Sequence, residues 1–106
     1  MSDQVSASHI LLMYEGSANS TASRSKEEAA AEIERLRQEI EGGADFAELA
    51  REHSDCPSGA DGGSLGMFGR GQMVPAFETT SFALEIGATS GIVETDFGYH
   101  LIQRTG

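Results

Sequence analysis

Three histidines and one cysteine are the side chains in this sequence best suited to acid–base, nucleophilic or metal chemistry. His53 and Cys56 stand three residues apart, a spacing that can hold a metal ion, but no second close pair completes a tetrahedral zinc site. Taken alone, Cys56 is most simply interpreted as a small buried apolar residue. Each histidine taken alone is likewise compatible with a structural role. No metal site is therefore predicted.

A glycine-rich stretch offers a second place for chemistry, since it holds six glycines between Gly59 and Gly71. Such a density indicates positive φ angles or close backbone approach rather than flexibility alone. The stretch lacks both the G-x-x-x-x-G-K-S/T and the G-x-G-x-x-G patterns, so it is not a recognisable phosphate-binding loop. The H-E-x-x-H pattern of zinc proteases is also absent from the chain.

Composition narrows the class of protein. The chain has 106 residues, enough for one domain, with 39% hydrophobic and 23% charged residues. Seven basic residues face 17 acidic ones, and the net charge of −10 disfavours nucleic acid and anionic membranes as partners. A single cysteine excludes an internal disulfide and fits a reducing compartment. With no signal-like start and no apolar run near the ~20 residues of a membrane span, we expect a cytoplasmic, monomeric protein.

The first half of the chain predicts a strand followed by two helices. Val5 to Tyr14 is rich in branched apolar residues and predicts a buried strand, and residues 15–23 predict a loop. A capping box at Ser25–Glu28 starts a helix that Gly42-Gly43 ends. A second helix begins at Asp45. Their apolar residues recur at helical spacing, so both helices are expected to pack on one sheet.

The second half predicts one further strand, a short helix and two strands in a hairpin. Ser64 to Phe68 forms a candidate strand, and Pro75 suits the first turn of a helix. Ile92–Thr95 and Tyr99–Arg104 flank the turn Asp96-Phe97-Gly98, and alternation puts His100 and Ile102 on one face. The element order implies an α+β domain with a largely antiparallel sheet.

Five sequence blocks, read together, resemble the parvulin family of peptidyl-prolyl cis/trans isomerases. They occur in the family's order over about residues 6–104 and comprise Ser8–Leu11, His53–Gly59, Gly62–Phe68, Gly69–Glu78 and Thr95–Ile102. The resemblance is nearest to the small, single-domain parvulins of bacteria and archaea. It implies one parvulin-type domain over residues 1–106, with a four-stranded sheet flanked by about four helices.

The resemblance also implies a site. His9 and His100 match the two family histidines that meet on adjacent central strands, and Cys56 stands where other members have Cys or Asp. A pocket for the substrate proline ring is implied at Leu65, Met73 and Phe77, with Thr95 and Phe97 at the edge of the site. Two alternatives stay open: the histidines serve mainly to fix the sheet, and the three apolar residues are ordinary core.

The implied activity is rotation of X-Pro bonds in peptides and unfolded proteins, without cofactor or metal, because no covalent bond is broken. Parvulins that require a phosphorylated residue before proline carry a basic cluster in the loop after the first strand. Residues 14–23 contain no Lys or Arg, so phospho-dependence is not expected. One alternative is a chaperone-like peptide-binding module with weak or no isomerase activity. A thiol redox protein ranks last, since Cys56 has no resolving cysteine.

Overall fold

A computed structural model describes residues 4–17, 24–55 and 57–106. Strand β1 spans Gln4–Leu12 and is followed by helices α1 (Lys26–Glu41) and α2 (Phe46–His53). A short 3₁₀ helix (Pro57–Asp61), strand β2 (Ser64–Gly69) and helix α3 (Pro75–Ala83) come next. Strands β3 (Val93–Thr95) and β4 (Gly98–Arg104) form the final hairpin. The expected α+β class is confirmed, and the three α-helices with the 3₁₀ helix account for the helices that were predicted.

The four strands form one sheet in the order β2-β1-β4-β3, and every neighbouring pair is antiparallel. The two central strands, β1 and β4, come from opposite ends of the chain. Their register sets His9 opposite Ile102 and Leu11 opposite His100. Since directly paired residues project to the same face, His9, His100 and Ile102 share one face of the sheet, as the alternation of the sequence predicted.

Each face of the sheet has its own apolar cluster. On one face, α1 and α2 cover Ile10, Leu12 and Leu101, as expected from the apolar faces of the two helices. On the other face, Val5, Ala7 and Ile102 pack with Phe68 and with Phe77 of α3. The two histidines lie on this second face, so the single helix α3 covers the side of the sheet that holds the chemically interesting groups.

Local signals account for most element boundaries. The capping box is present at the start of α1, with Ser25 Oγ accepting from Glu28 N–H and the Glu28 carboxylate accepting from Ser25 N–H. Pro75 occupies the first turn of α3. Strand β1 ends at Leu12 rather than at Tyr14, because the chain turns at residues 15–16 and the Arg24 carbonyl accepts from Glu15 N–H at 2.8 Å. Most of the predicted loop of residues 15–23 lies outside the described residues. No described helix is long and apolar enough to span a membrane.

Candidate active site

The centre of the site is a pair of buried histidines on the two central strands. His9 of β1 is 5% exposed and His100 of β4 is 4% exposed. Their Nδ1 atoms lie 3.1 Å apart at hydrogen-bond distance, and the rings stack with centroids 5.3 Å apart. Only the sheet register brings these residues together, since they are separated by 91 positions in the chain.

A hydroxyl group stands at each outer end of the imidazole pair. Ser58 Oγ lies 3.2 Å from His9 Nε2, and Thr95 Oγ1 lies 2.7 Å from His100 Nε2. A bond between two Nδ1 atoms needs one N–H and one lone pair, so one ring carries its proton on Nδ1 and the other on Nε2. The hydroxyls can complete either arrangement, since a hydroxyl both donates and accepts. The two hydroxyls and the two imidazoles therefore form a chain of four groups linked by three hydrogen bonds. The direction of donation along this chain can be reversed.

Burial makes both imidazoles poor proton acceptors from water. Desolvation lowers the pKa of His9 to about 4, and desolvation together with the nearby His9 lowers the pKa of His100 to about 4. Both rings are therefore neutral near pH 7. The Nδ1–Nδ1 bond needs one lone pair, so it is kept when one ring is protonated and is lost only when both rings carry a proton on Nδ1.

Phe77 connects the histidine pair to an apolar surface. Its ring meets His9 and His100 edge-on, at centroid distances of 5.4 and 5.6 Å and interplanar angles of 81° and 80°. Leu65 and Met73, both half-buried, pack against the apolar cluster that contains Phe77. The three residues at which the family resemblance implied a ring pocket thus lie in one cluster beside the imidazoles. We call this set, Leu65, Met73 and Phe77, the apolar pocket.

The glycine-rich stretch brings Ser58 to His9. The Gly63 carbonyl accepts from His9 N–H at 2.9 Å, and Gly63 N–H donates to the Ser58 carbonyl at 2.8 Å. A Cβ on Gly63 would collide with the His9 carbonyl oxygen, and its φ of +86° is a left-handed conformation. Glycine is therefore required here for both close approach and backbone angle. This contact holds the 3₁₀ helix beside β1.

The remaining residues predicted for the site are placed as follows. Thr95, expected at the substrate edge, also contacts His100, and its Oγ1 accepts from Phe97 N–H at 3.2 Å. Phe97 lies in the β3–β4 turn and is half-buried. Cys56 lies outside the described residues.

His53, which the sequence paired with Cys56 as a possible metal ligand, lies beside two carboxylates. Its Nδ1 is 3.8 Å from Glu32 and its Nε2 is 3.6 Å from Glu52. Within the described residues, no three His, Cys, Asp or Glu side chains converge as metal ligands.

Sequence analysis missed two features of the glycine-rich region. Ser58 received no role, and no local pattern links it to His9, which is 49 residues away. Residues 62–66 also match G-x-S-x-G, the pattern of a nucleophile elbow between a strand and a helix. Here Ser64 instead begins β2 and pairs with Ser8 of β1. The match therefore occurs outside the strand–turn–helix context that gives the motif its chemistry.

The fold corresponds to one class of protein, the isomerases of peptidyl-prolyl bonds. The chain belongs to the family of PPIC-type PPIase domains, whose family pattern matches residues 1–106. It is a peptidyl-prolyl cis-trans isomerase, as the resemblance implied, and its substrates are proline-containing peptides and proteins.

Individual relatives support this membership. Peptidyl-prolyl cis-trans isomerase Pin1 of Digitalis lanata is 42% identical over 116 residues, which cover 99% of this chain and 98% of that protein. The structure of peptidyl-prolyl isomerase ESS1 from Candida albicans has a TM-score of 0.90 and 38% identity, covering 98% of this chain and 63% of that one. Pin from the archaeon Cenarcheaum symbiosum has a TM-score of 0.69 and 41% identity, covering 100% and 95%. Because a plant and a fungal protein are among these relatives, the narrower expectation of a prokaryotic kind is not supported.

Proposed function

We propose that this isomerase rotates X-Pro bonds without covalent chemistry, by holding the proline ring in the apolar pocket while the preceding carbonyl turns. The observation that carries the proposal is the position of the Phe77 ring, edge-on against both imidazoles and packed in the cluster that Leu65 and Met73 contact. A substrate proline ring that contacts Phe77 has its X-Pro amide next to the hydrogen-bonded histidines. Binding of the ring and rotation of the bond therefore occur at the same place.

Amide rotation is slow because resonance gives the C–N bond double-bond character, with a barrier of roughly 20 kcal/mol. The twisted amide has lost this resonance, and its nitrogen is more basic. A site that binds the twisted form better than either planar isomer lowers the barrier, and each ~1.4 kcal/mol of preference gives a tenfold increase in rate. Removing the amide from water favours the twisted form further, since the planar amide is the more polar of the two.

The histidine pair supplies a neutral, polar and rigid neighbourhood for the turning carbonyl. Its rings are uncharged near neutral pH, and the hydrogen bonds to Ser58 and Thr95 fix their orientation. We assign to His9 and His100 the role of shaping the field around the carbonyl, together with Cys56. In this proposal the Cys56 thiol acts through its polarity and forms no bond to the substrate.

We further propose that turnover does not depend on phosphorylation of the residue before proline. The two cations that follow the loop after β1 are already engaged. Arg24 binds Asp55 at 2.5 Å and the Met13 carbonyl at 2.9 Å, and Lys26 binds Glu94 at 3.0 Å. Residues 14–23 add no basic side chain. A phosphate dianion beside this loop would therefore meet a strongly acidic protein, and the two described cations nearest to it already have acidic partners.

Exchange NMR on a short Ala-Pro peptide tests the activity. We expect cross-peaks between cis and trans signals to grow faster with the protein present. Shift perturbation without faster exchange would instead favour the peptide-binding module. A matched pair of Ser-Pro peptides, with and without phosphate on serine, tests the second proposal. Equal or faster turnover of the unphosphorylated peptide is expected, and a large preference for the phosphorylated one would overturn it.

Replacing Cys56 by Asp tests the non-covalent mechanism. Because the resemblance places Cys or Asp at this position, Cys56→Asp should keep substantial isomerase activity. Near-complete loss with an unchanged circular dichroism spectrum would instead indicate nucleophilic chemistry by the thiol. Cys56→Ser, which keeps a small polar group, serves as the second variant.

A further inference from the structure

The segment between β2 and α3 brings Met73 to the apolar pocket, and hydrogen bonds restrain the chain at Gly69 and at Gly71. We call the last residue of β2 and the segment that follows it, residues 69–74, the 69–74 loop. Gly69 N–H donates to Gln72 Oε1 at 2.6 Å, and Gly71 N–H donates to Glu78 Oε1. The first bond closes the loop on itself. The second ties the middle of the loop to the first turn of α3.

Glu78 is next in sequence to Phe77, so one helical turn carries both a pocket residue and the acceptor that holds the loop. Phe77 points into the cluster and is 3% exposed, while the half-buried Glu78 reaches back to Gly71. Hydrogen bonds to an ionised acceptor are about twice as strong as neutral ones. Gly71 has a φ of +85°. Because glycine has the most backbone freedom of all residues, the hydrogen bond to Glu78 restricts the conformations open to the loop at this point.

An aromatic contact fixes the same loop from its other side. The Arg70 guanidinium carbon lies 4.2 Å from the centre of the Phe82 ring on α3, within the range of a cation–π contact. Phe82 in turn contacts Phe68, and Phe68 contacts Phe77, at centroid distances of 6.5 and 5.9 Å. Both Arg70 and Glu78 therefore hold the loop to α3, the helix that supplies Phe77.

From this arrangement we propose that Glu78 is a positioning residue for catalysis, which acts by holding the 69–74 loop so that Met73 stays in place against the proline ring. This inference rests on the proposed function, in which Met73 grips the ring. The ring has the same shape in the cis, trans and twisted forms of the bond. Looser positioning of Met73 therefore weakens binding of all three forms and raises KM, with a smaller change in kcat.

The kinetic test compares Glu78→Ala with Glu78→Gln, which keeps an oxygen acceptor for Gly71. Glu85→Ala is the control, because Glu85 lies beyond the end of the same helix, is exposed, and its removal changes the net charge equally. We expect Glu78→Ala to lower kcat/KM about three- to tenfold, mainly through KM. Glu78→Gln should recover most of the activity and Glu85→Ala should match the wild type. Wild-type kinetics in Glu78→Ala, or an equal loss in Glu85→Ala, would overturn the inference.

A structural readout keeps the test independent of activity. In the wild-type chain, the Gly71 amide should exchange with solvent more slowly than expected for an open loop. In Glu78→Ala it should exchange faster, and the methyl signal of Met73 should show greater mobility by NMR relaxation. A wild-type chain with no isomerase activity would count against the proposed function alone. Rapid exchange of the Gly71 amide in the wild type would count against the role of Glu78, even where the alanine variant fails to fold.

Discussion

The Nδ1 atoms of His9 and His100 face each other at 3.1 Å, and both rings are almost fully buried. This contact joins the two central strands through their side chains as well as through the backbone ladder. It also needs one unprotonated Nδ1, so protonation of both rings would remove it, which couples the integrity of the site to pH. The consequences of this pair, of the apolar pocket and of the packing around them are open to measurement.

Acid should destabilise the protein before its carboxylates titrate. Burial lowers the pKa of both histidines to about 4, against about 6.5 when unfolded. Their contribution is complete above pH 6.5 and is lost as the pH falls toward 4, because the unfolded chain binds more protons in this window. Urea unfolding at pH 7.5 and 5.5 should differ by about 1 kcal/mol for each histidine. A His53→Gln background removes the third histidine, and equal stability at the two pH values in it would contradict the prediction.

Shortening Met73 should reduce activity with little effect on folding. Met73 is half-buried beside Phe77, so Met73→Ala removes part of the proposed grip on the ring. We expect kcat/KM to fall about tenfold, equivalent to ~1.4 kcal/mol. Met67→Ala is the matched control, since Met67 is 65% exposed and pairs with Ser6, on the opposite face of the sheet. The two variants showing the same kinetics would exclude this role for Met73. Phe77→Ala is less informative, because removing so buried a ring leaves a cavity and lowers the free energy of unfolding by about 3–5 kcal/mol.

Gly63→Ala should destabilise the protein, because it changes the backbone contact beside His9. The added methyl group would collide with the His9 carbonyl oxygen and would occupy a left-handed backbone conformation. We expect a loss of roughly 3 kcal/mol or more in unfolding free energy. Gly87→Ala separates the two causes, because Gly87 has a φ of +90° but open space within 4 Å of the position that a Cβ would take. It should lose only about 1 kcal/mol. Similar losses in the two variants would show that close approach to His9 contributes nothing.

Replacing Ser81 should stabilise the protein. Its side chain on α3 is fully buried, and its hydroxyl has no hydrogen-bond partner among the described residues. Ser81→Ala removes the unpaired group and introduces a better helix former, so the unfolding free energy should rise by about 1 kcal/mol. For a domain of this size, that corresponds to roughly 4–8 °C in Tm. A lower Tm in calorimetry would mean that the hydroxyl has a partner. Thr79→Ala, on the exposed side of α3, is the control for helix propensity.

Much of the fold follows from local sequence. The capping box of α1, Pro75 at the start of α3 and the alternation in β4 each depend on neighbouring residues, and all three predictions are confirmed. The resemblance to parvulins, now shown as family membership, implied the candidate site residues and the meeting of the two histidines, but not the hydrogen bonds around them. The roles assigned to His9, His100 and the apolar pocket remain predictions. The role of Cys56 does too, and Cys56 lies outside the described residues.

The amino-acid sequence by itself determined the element types, because propensity, capping and periodicity act over a few neighbouring residues. It also determined the family, through five sequence blocks in the family's order. Only the tertiary structure decided which polar groups meet. Ser58 reaches His9, and Glu78 reaches Gly71, through sheet register and the packing of α3. Such contacts depend on ångström-scale placement of segments far apart in the chain, and no local pattern encodes that placement.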